Sequence, residues 1–304
     1  MSVIINKQKE DNMKDKLVKG LIRDDRVRVY LCKTTDLCEQ AKINHDLWPT
    51  SMAALGRVLS VTAILGSMLK SKDEKVTVLI NGNGPIGTIM ADGYMDGHVR
   101  GFVGDPHLML IDNHTNKLAV GAIVGSDGYL RVIRDSGLKE DFAGTVKLVS
   151  GEIGEDFAYY FTVSEQIPTA VSVGVLVDNE NQVSAAGALI VQLLPGSNDD
   201  DIEYCENIIK QLPPISELIL NNPDMNDLIK EIFNDVKIID ETKLVFSCDC
   251  SKERMQAALI TLNTKDLQDM IDEDHGCEIV CQYCSKKYHF SEEQLKGIIA
   301  NKDV

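Results

Sequence analysis

The sequence predicts an α+β protein with a sheet-rich N-terminal core domain, a helical linker and a small, cysteine-rich C-terminal domain. Strand-like runs follow one another with few helices between them in the first part of the chain, which indicates segregated strands and not regular βα units. Amphipathic pieces broken by prolines come next, and five of the eight cysteines then crowd between Cys248 and Cys284. We expect the three parts to span residues 1–194, 195–243 and 244–304.

The bulk composition limits the class of protein. The chain has 304 residues, of which 44% are apolar, and this is enough for one sizeable core and a smaller appended unit. Its formal net charge of -16 repels a phosphate backbone on average. We therefore expect no nucleic-acid partner.

Neither an export signal nor a membrane span is predicted. Met1–Lys19 mixes charged residues with short apolar runs and lacks the continuous apolar stretch of a signal peptide. The most apolar long segment, Ser51–Lys70, is interrupted by Arg57, and we interpret it as a core helix. We expect a cytoplasmic protein without a membrane partner, whose cysteines lie in a reducing compartment.

The core domain is predicted to consist mainly of strands. Runs rich in β-branched residues alternate with turn residues, many of them glycine, between about residues 26 and 194. In chain order the runs are RVRVYLC, KVTVLI, TIMAD, HVRGFV, YLRVIR, TVKLVS, AVSVGVLV and ALIVQLL. Two helices interrupt the series early, one after Thr35 and one after Pro49.

The linker, residues 195–243, has a different sequence pattern from the core domain. The run GSNDDD precedes three short amphipathic pieces, at about 202–212, 215–220 and 225–233, with prolines between them. Isolated helices become marginally stable only at about 12 to 15 residues, so the order of these pieces must come from packing against another part of the protein. Ordinary surface helices of a single domain are the alternative interpretation.

We predict four elements of secondary structure in the C-terminal domain, from Leu244 to Val304. One helix surrounds Met255 to Leu262 and a second surrounds Leu267 to Ile271. A hairpin carrying a cysteine pair follows, and Ser291 with Gln294 caps the last helix. An apolar core of this size seldom suffices for folding, and a bound metal is a common remedy.

Four cysteines form two close pairs with 30 residues between them: Cys248, Cys250, Cys281 and Cys284. Four thiolates in two pairs are what a closed tetrahedral zinc site requires, so we predict that they ligate Zn²⁺. A purely structural zinc is one interpretation. A redox sensor is the other, because zinc binding supplies about 10 to 16 kcal/mol of folding free energy in such units and each pair is close enough in sequence to form a disulfide.

The other cysteines and the histidines are weaker candidates for metal ligands. Cys277 precedes the second pair and is a possible substitute ligand or off-target disulfide partner, with a minor role expected. Cys38 and Cys205 lie on apolar helix faces and are interpreted as buried small hydrophobes. The histidines have no paired ligand spacing, and His289 is predicted to be a strand residue and not a fifth ligand.

Gly82–Gly87 matches the dinucleotide-binding pattern G-x-G-x-x-G. A true fingerprint opens a helix, whereas Pro85 and the strand-like run that follows Gly87 favour a hairpin. The sequence therefore predicts no nucleotide site here.

Taken together, these segments resemble the redox-regulated heat-shock chaperonins, a family of bacterial zinc-switch holdases. The resemblance extends from about Val27 to Ile299. The segments that carry it are Phe246–Arg254, Cys281–Cys284, Ile80–Gly87, Val99–Gly101, Ser150–Glu152, Tyr160–Phe161 and Ser164–Thr169. Cys277 is the main departure from the family pattern.

The resemblance implies a non-enzymatic function, that of an ATP-independent molecular chaperone acting in oxidative stress. The reduced, zinc-bound form would be inactive, and oxidants would form Cys248–Cys250 and Cys281–Cys284 disulfides with release of zinc. The linker would then unfold and expose an apolar surface that captures unfolded client proteins. The oxidised form would be a homodimer, and clients would pass to ATP-dependent foldases after reduction.

Two other functions are compatible with the cysteine pattern. A zinc ribbon that binds nucleic acid is the first alternative, with Lys252, Arg254, Lys286 and Lys287 as its basic side chains. A thiol oxidoreductase using Cys281 and Cys284 is the second, although such motifs usually begin a helix in a βαβ setting that this sequence does not predict.

Overall fold

The computed structural model describes residues 14–137 and 142–302. These residues form ten helices and thirteen strands, which confirms the predicted α+β class. The chain divides into two compact units, one ending at Ser247 and the other beginning at Cys248. The predicted three-part division, with a linker at 195–243, stays a prediction.

The first unit contains eleven strands and seven helices within the described residues. The strands are β1 Lys16–Ile22, β2 Val27–Lys33, β3 Lys75–Asn81, β4 Thr88–Tyr94, β5 His98–Val103, β6 Tyr129–Asp135, β7 Phe142–Lys147, β8 Thr169–Val177, β9 Val183–Leu193, β10 Lys237–Lys243 and β11 Val245–Phe246. The helices are α1 Thr35–His45, α2 Pro49–Gly66, α3 Val120–Val124, α4 Gly154–Val163, α5 Asp199–Gln211, α6 Ile215–Asn221 and α7 Met225–Ile232.

The strands of the first unit form two sheets. The five-stranded sheet has the order β10-β1-β2-β9-β8 and is antiparallel throughout. The six-stranded sheet has the order β11-β5-β4-β3-β6-β7, in which only the β11–β5 pair is parallel. Consecutive antiparallel strands explain why turn-separated strand runs dominate this part of the sequence.

Helix α2 packs against both sheets and forms the centre of the first unit. It contacts β4 and β5 of the six-stranded sheet and β8 and β9 of the five-stranded sheet. Pro49 occupies the first turn, where its missing N–H is not needed. Among the described residues, α2 is the helix that is long and apolar enough to cross a membrane, but 89% of its most apolar stretch is buried in the protein. The interpretation of this segment as a core helix is confirmed.

Helices α5, α6 and α7 cover the outer face of the five-stranded sheet. Side chains such as Ile219, Leu228 and Phe233 pack there against Val29 of β2 and Leu189 of β9 in one buried cluster. Gly187 in β9 allows the close approach of α6, because a Cβ at this position would lie 2.4 Å from Cδ1 of Ile219. These short helices do pack against another part of the protein, and that their order depends on this packing stays a prediction.

Several elements were not predicted, among them β1, β10 and α4. Lys16 and Lys19 interrupt the apolar pattern of β1, but both form ion pairs with carboxylates from the later part of the chain. Lys16 pairs with Asp224 and Glu241, and Lys19 pairs with Asp240. Strand β10 is mostly charged, as suits an edge strand, and therefore lacks an alternating apolar pattern. Helix α4 buries aromatic residues whose β-propensity hides its helical spacing.

The C-terminal unit is small and contains three helices and one hairpin within its described residues. Its elements are α8 Lys252–Thr261, α9 Thr264–Asp274, β12 Gly276–Val280, β13 Lys287–Ser291 and α10 Glu292–Lys302. Their order agrees with the sequence prediction. The buried cluster of this unit consists of Leu259, Leu267, Ile271, Cys281, Tyr288, Phe290, Leu295 and Ile298.

The N-terminus of α5 is held to the β1–β2 turn by a buried carboxylate. Asp201 is fully buried and accepts hydrogen bonds from Nε of Arg23 at 2.9 Å and from Nε of Arg26 at 2.7 Å. It also accepts from the backbone N–H of Asn198, whose side chain in return caps the helix. The hydrogen bonds from Arg26 and then Arg23, acting against burial, lower the pKa of Asp201.

Replacing Asp201 by Asn is expected to lower the Tm of the first unit by several degrees at neutral pH, because Arg23 and Arg26 lose their buried, charged partner. A lowered pKa stabilises the fold above the ordinary carboxyl pKa of about 4, and the contribution is lost as the pH falls below it. The difference in Tm between wild type and variant should therefore shrink in acid.

Asp200→Asn is the matched control, because Asp200 is exposed on the same first turn of α5. Its Tm should remain near that of the wild type. Equal Tm values for all three proteins at neutral pH would contradict the role given to Asp201.

Candidate metal centre

The structure brings the four predicted ligands together in the C-terminal unit. The sulfur atoms of Cys248, Cys250, Cys281 and Cys284 all lie within 4.8 Å of one another. The distance from Cys248 Sγ to Cys281 Sγ is 3.7 Å, and that from Cys250 Sγ to Cys284 Sγ is 3.4 Å. We call this group the four-cysteine cluster. Its sulfurs belong to two segments that are far apart in sequence, so the cluster ties the beginning of the unit to its hairpin.

The first cysteine pair lies directly before α8. Ser251 caps this helix by accepting a hydrogen bond from the backbone N–H of Arg254 at 3.3 Å. The guanidinium of Arg254 in turn contacts the Asp249 carboxylate at 2.5 Å and donates to the Asp249 backbone oxygen at 3.3 Å. The cap and this ion pair fix the direction of the chain between the two cysteines.

The second pair lies in the turn of the β12–β13 hairpin. The backbone N–H of Cys281 donates to the Lys286 carbonyl at 2.9 Å, and that of Ser285 donates to the Cys281 carbonyl at 2.8 Å. Ser285 has a positive φ of 57°, which bends the chain sharply after Cys284. Cys281 is the most deeply buried member of the cluster, and the other three are half-buried.

Tyr288 of β13 reaches from the hairpin to the first cysteine pair. Its ring is buried, and its hydroxyl lies 2.9 Å from the backbone oxygen and 3.1 Å from Sγ of Cys250. The ammonium group of Lys286 lies over the Tyr288 ring, 5.2 Å from its centroid. The hydroxyl thus contacts one of the four sulfurs directly.

The local environment differs between the thiols. Burial raises the pKa of Cys248 and that of Cys284. Burial also opposes ionisation of Cys250, but hydrogen bonds, first of all from Tyr288 and then from the neighbouring thiols, lower its pKa. Cys250 therefore ionises more readily than a free cysteine. Ionisation of Cys248 and Cys284 is less favourable and requires a stabilising positive charge, such as that of a bound cation.

The donor set fits a tetrahedral metal ion. Zinc–sulfur bonds of about 2.3 Å in a tetrahedron place neighbouring sulfurs about 3.8 Å apart. The distances of 3.7 Å from Cys248 Sγ to Cys281 Sγ and 3.4 Å from Cys250 Sγ to Cys284 Sγ agree with this spacing. The cluster could therefore hold a metal ion, and four thiolates favour zinc over the hard cations magnesium and calcium. That these residues bind zinc stays a prediction.

Other cysteines and histidines lie outside the cluster. Cys277 packs against the core of the C-terminal unit but is not among the grouped ligands. Cys32, Cys38 and Cys205 are buried in the first unit, where burial raises the pKa of Cys32 to about 12 and that of Cys205 to about 11. His289 is exposed and lies 3.3 Å from Glu278. The interpretations of Cys38 and Cys205 as buried hydrophobes are confirmed.

The glycine motif Gly82–Gly87 forms the turn between β3 and β4, as predicted. A Cβ on Gly82 would lie 2.2 Å from the Gly125 oxygen, and one on Gly84 would lie 2.3 Å from the Ile123 oxygen. Gly84 also donates a backbone hydrogen bond to Val124. These glycines allow two backbone segments to approach closely, which accounts for the motif without a nucleotide.

The hydroxyl contact of Tyr288 with Cys250 was not predicted from the sequence. The feature of the sequence that could have indicated this contact is a tyrosine at a strand position that faces inward. A buried tyrosine hydroxyl usually finds a hydrogen-bond partner, and a cysteine-rich neighbourhood supplies few acceptors other than sulfur and backbone oxygen.

Comparisons with known proteins match most of the length of the chain. The family model described as Hsp33 protein matches residues 15–291. The 33 kDa chaperonin of Bacillus subtilis (strain 168) is 45% identical over 285 residues, which cover 93% of this chain and 98% of that protein. The 33 kDa chaperonin of Enterococcus faecalis is 44% identical over 285 residues, with coverage of 93% and 95%.

A solved structure gives the same result. The crystal structure of the 33 kDa chaperonin (heat shock protein 33 homolog) of Thermotoga maritima superposes with a TM-score of 0.89 at 37% sequence identity, covering 95% of this chain and 99% of that one. The match includes nearly the whole length of both chains. The chain belongs to the Hsp33 family of 33 kDa chaperonins.

Proposed function

We propose that this protein is a redox-regulated, ATP-independent holdase whose four-cysteine cluster is its switch. Family membership supports a chaperone role, and unfolded client proteins are the partners that this role implies. The relatives are named as chaperonins and not as enzymes, which suggests a non-enzymatic function. The observation that supports the switch is the grouping of four sulfurs within 4.8 Å in a unit with a small core.

In the reduced protein, the four cysteines would hold zinc as thiolates. The bound ion would supply positive charge that stabilises all four thiolates and links the two segments of the C-terminal unit. The tyrosine and the hairpin turn would hold the sulfurs at the spacing described above. The reduced form would be folded and inactive.

Oxidation would remove the ligands in pairs. Two thiols and one hydrogen peroxide give one disulfide and two waters, so each pair transfers two electrons to the oxidant. We propose the pairs Cys248–Cys250 and Cys281–Cys284, following the family resemblance. Cys248 Sγ lies 3.7 Å from Cys281 Sγ and Cys250 Sγ lies 3.4 Å from Cys284 Sγ, but all four sulfurs are close enough that small movements decide the pairing. The metal would be released when its ligands are oxidised.

Loss of the cluster would destabilise the C-terminal unit and then the linker, residues 195–243. The outer helices α5, α6 and α7 are short and depend on one apolar face packed against the five-stranded sheet. Their detachment would expose that face and the apolar outer face of the sheet. Such a surface is suited to unfolded chains, which also expose apolar side chains.

The remaining parts of the proposal follow the family resemblance. The protein would act in the cytoplasm, form a homodimer when oxidised, and transfer clients to ATP-dependent foldases after reduction. Nucleic-acid binding is disfavoured by the net charge of -16. Arg254 and Lys287, two of the basic side chains of the zinc-ribbon alternative, are engaged by Asp249 and Glu278.

The holdase function predicts that only the oxidised protein suppresses aggregation. Light scattering from a thermally unfolding client should rise as in the buffer control with the reduced, zinc-loaded protein and should remain low after treatment with peroxide at mild heat. Re-reduction with zinc present is the control and should restore the inactive state.

Two results would oppose the holdase. Equal suppression by both forms would assign the metal a structural role. Salt-dependent RNA binding or rapid reduction of insulin disulfides would instead support the zinc-ribbon or the oxidoreductase alternative.

Cys281→Ser is expected to abolish tight zinc binding and to loosen the C-terminal unit, because a buried ligand is lost. Changes in outer-shell residues alone cost about 10- to 100-fold in metal affinity, so loss of a ligand should cost more than about 100-fold. Competition with a chromophoric chelator measures the affinity.

Cys277→Ser is the matched control, since Cys277 lies in the same unit outside the cluster. It should bind one zinc ion with nearly wild-type affinity. If Cys281→Ser binds zinc as tightly as this control, the ligand set is wrong.

A further inference from the structure

The hydroxyl of Tyr288 has a role that the packing of its ring does not explain. The ring fills an inward-facing position of β13 among the apolar side chains of the C-terminal unit, and a phenylalanine ring has the same shape. The hydroxyl, however, lies 2.9 Å from the Cys250 backbone oxygen and 3.1 Å from Cys250 Sγ. Both distances are within hydrogen-bonding range, and sulfur accepts at longer distances than oxygen does.

We propose that Tyr288 is a positioning residue that protects Cys250 from oxidation and so sets the rate at which the switch responds. The proposal rests on the proposed redox function and adds a determinant of its rate. Its basis is the contact between one buried hydroxyl and one sulfur of the four-cysteine cluster.

The protective effect follows from the chemistry of thiolate oxidation. The first step requires a sulfur lone pair to attack a peroxide oxygen, which forms an S–O bond, breaks the O–O bond and leaves hydroxide. A second thiolate then attacks that sulfur, forms the S–S bond and displaces a second hydroxide. A hydrogen bond to the sulfur stabilises the charge that must be given up in the first step, and it occupies the side of the sulfur from which Tyr288 approaches.

Two neighbouring groups strengthen this contact. The Lys286 ammonium lies 5.2 Å from the centroid of the Tyr288 ring and withdraws charge from it, which makes the hydroxyl a stronger donor. The pairing of Tyr288 with Ile279 across the hairpin fixes the ring at its position in the sheet. The same hydroxyl therefore connects the hairpin of the second cysteine pair to the sulfur of the first pair.

Tyr288 is suited to a sensor that must remain reduced until oxidant is abundant. Its hydroxyl contacts Cys250 Sγ at 3.1 Å and leaves all four sulfurs of the cluster in place. The hydroxyl thus raises the barrier to the first oxidation step without removing a ligand.

The test compares zinc release from Tyr288→Phe and from the wild type in the full-length, reduced, zinc-loaded protein. A chromophoric chelator reports release after addition of a fixed excess of hydrogen peroxide. Loss of one hydrogen bond of ordinary strength predicts release about five-fold faster in the variant. The zinc affinity without oxidant, measured with a competing chelator, should change much less than the rate.

Two further variants make the comparison specific. Lys286→Met retains the Tyr288 hydroxyl but removes the ring-bound cation, and it should accelerate release in the same direction by a smaller factor. Tyr159→Phe removes an exposed hydroxyl from the first unit and should release zinc at the wild-type rate.

The outcomes separate this inference from the function on which it rests. If wild-type protein binds no zinc or keeps it in peroxide, the redox function itself fails. If the wild type releases zinc in peroxide and Tyr288→Phe does so at the same rate, the protective role alone is overturned. Zinc lost from Tyr288→Phe equally fast without peroxide, or a variant that does not fold with zinc, would assign the hydroxyl a purely structural role and also overturn it.

Discussion

The small size of the C-terminal unit is the constraint on which its architecture depends. Its buried cluster contains eight residues, and one of these is Cys281, a member of the four-cysteine cluster. The four-cysteine cluster joins the start of the unit to the turn of its hairpin, with sulfurs within 4.8 Å of one another. A cross-link of this kind is only as stable as the thiolate form of its cysteines. The same feature therefore supports the fold and makes it sensitive to oxidants in the proposed mechanism.

The centre of the first unit, by contrast, is extensively buried. Helix α2 is buried between two sheets, and strands β2 and β9 are covered on both faces. The outer layer is different, because α5, α6 and α7 are short helices held by one apolar face and by particular polar contacts such as that of Asp201. In the proposed mechanism, detachment of this outer layer would expose apolar surface while the centre remains folded. This difference in packing supports the proposed role of the linker.

Local patterns in the sequence predicted much of this structure. Pro49 and the apolar run after it indicated α2, and the spacing of the cysteines predicted their grouping, because two close pairs need few conformations to form one site. Strand β1 was missed because the partners of Lys16 come from more than 200 residues later in the chain. The role of Asp201 among three adjacent aspartates, and the contact of Tyr288 with Cys250, likewise depend on tertiary neighbours that no local pattern reveals.

Hydrogen–deuterium exchange of the linker in the two redox states tests the central claim most directly. The account predicts that oxidation accelerates exchange of the backbone amides in α5, α6 and α7, while amides of β2 and β9 remain protected beneath them. It also predicts that reduction with zinc restores the slow exchange. Unchanged protection of these three helices after full oxidation of the cluster would contradict the proposal that the cysteines control the linker.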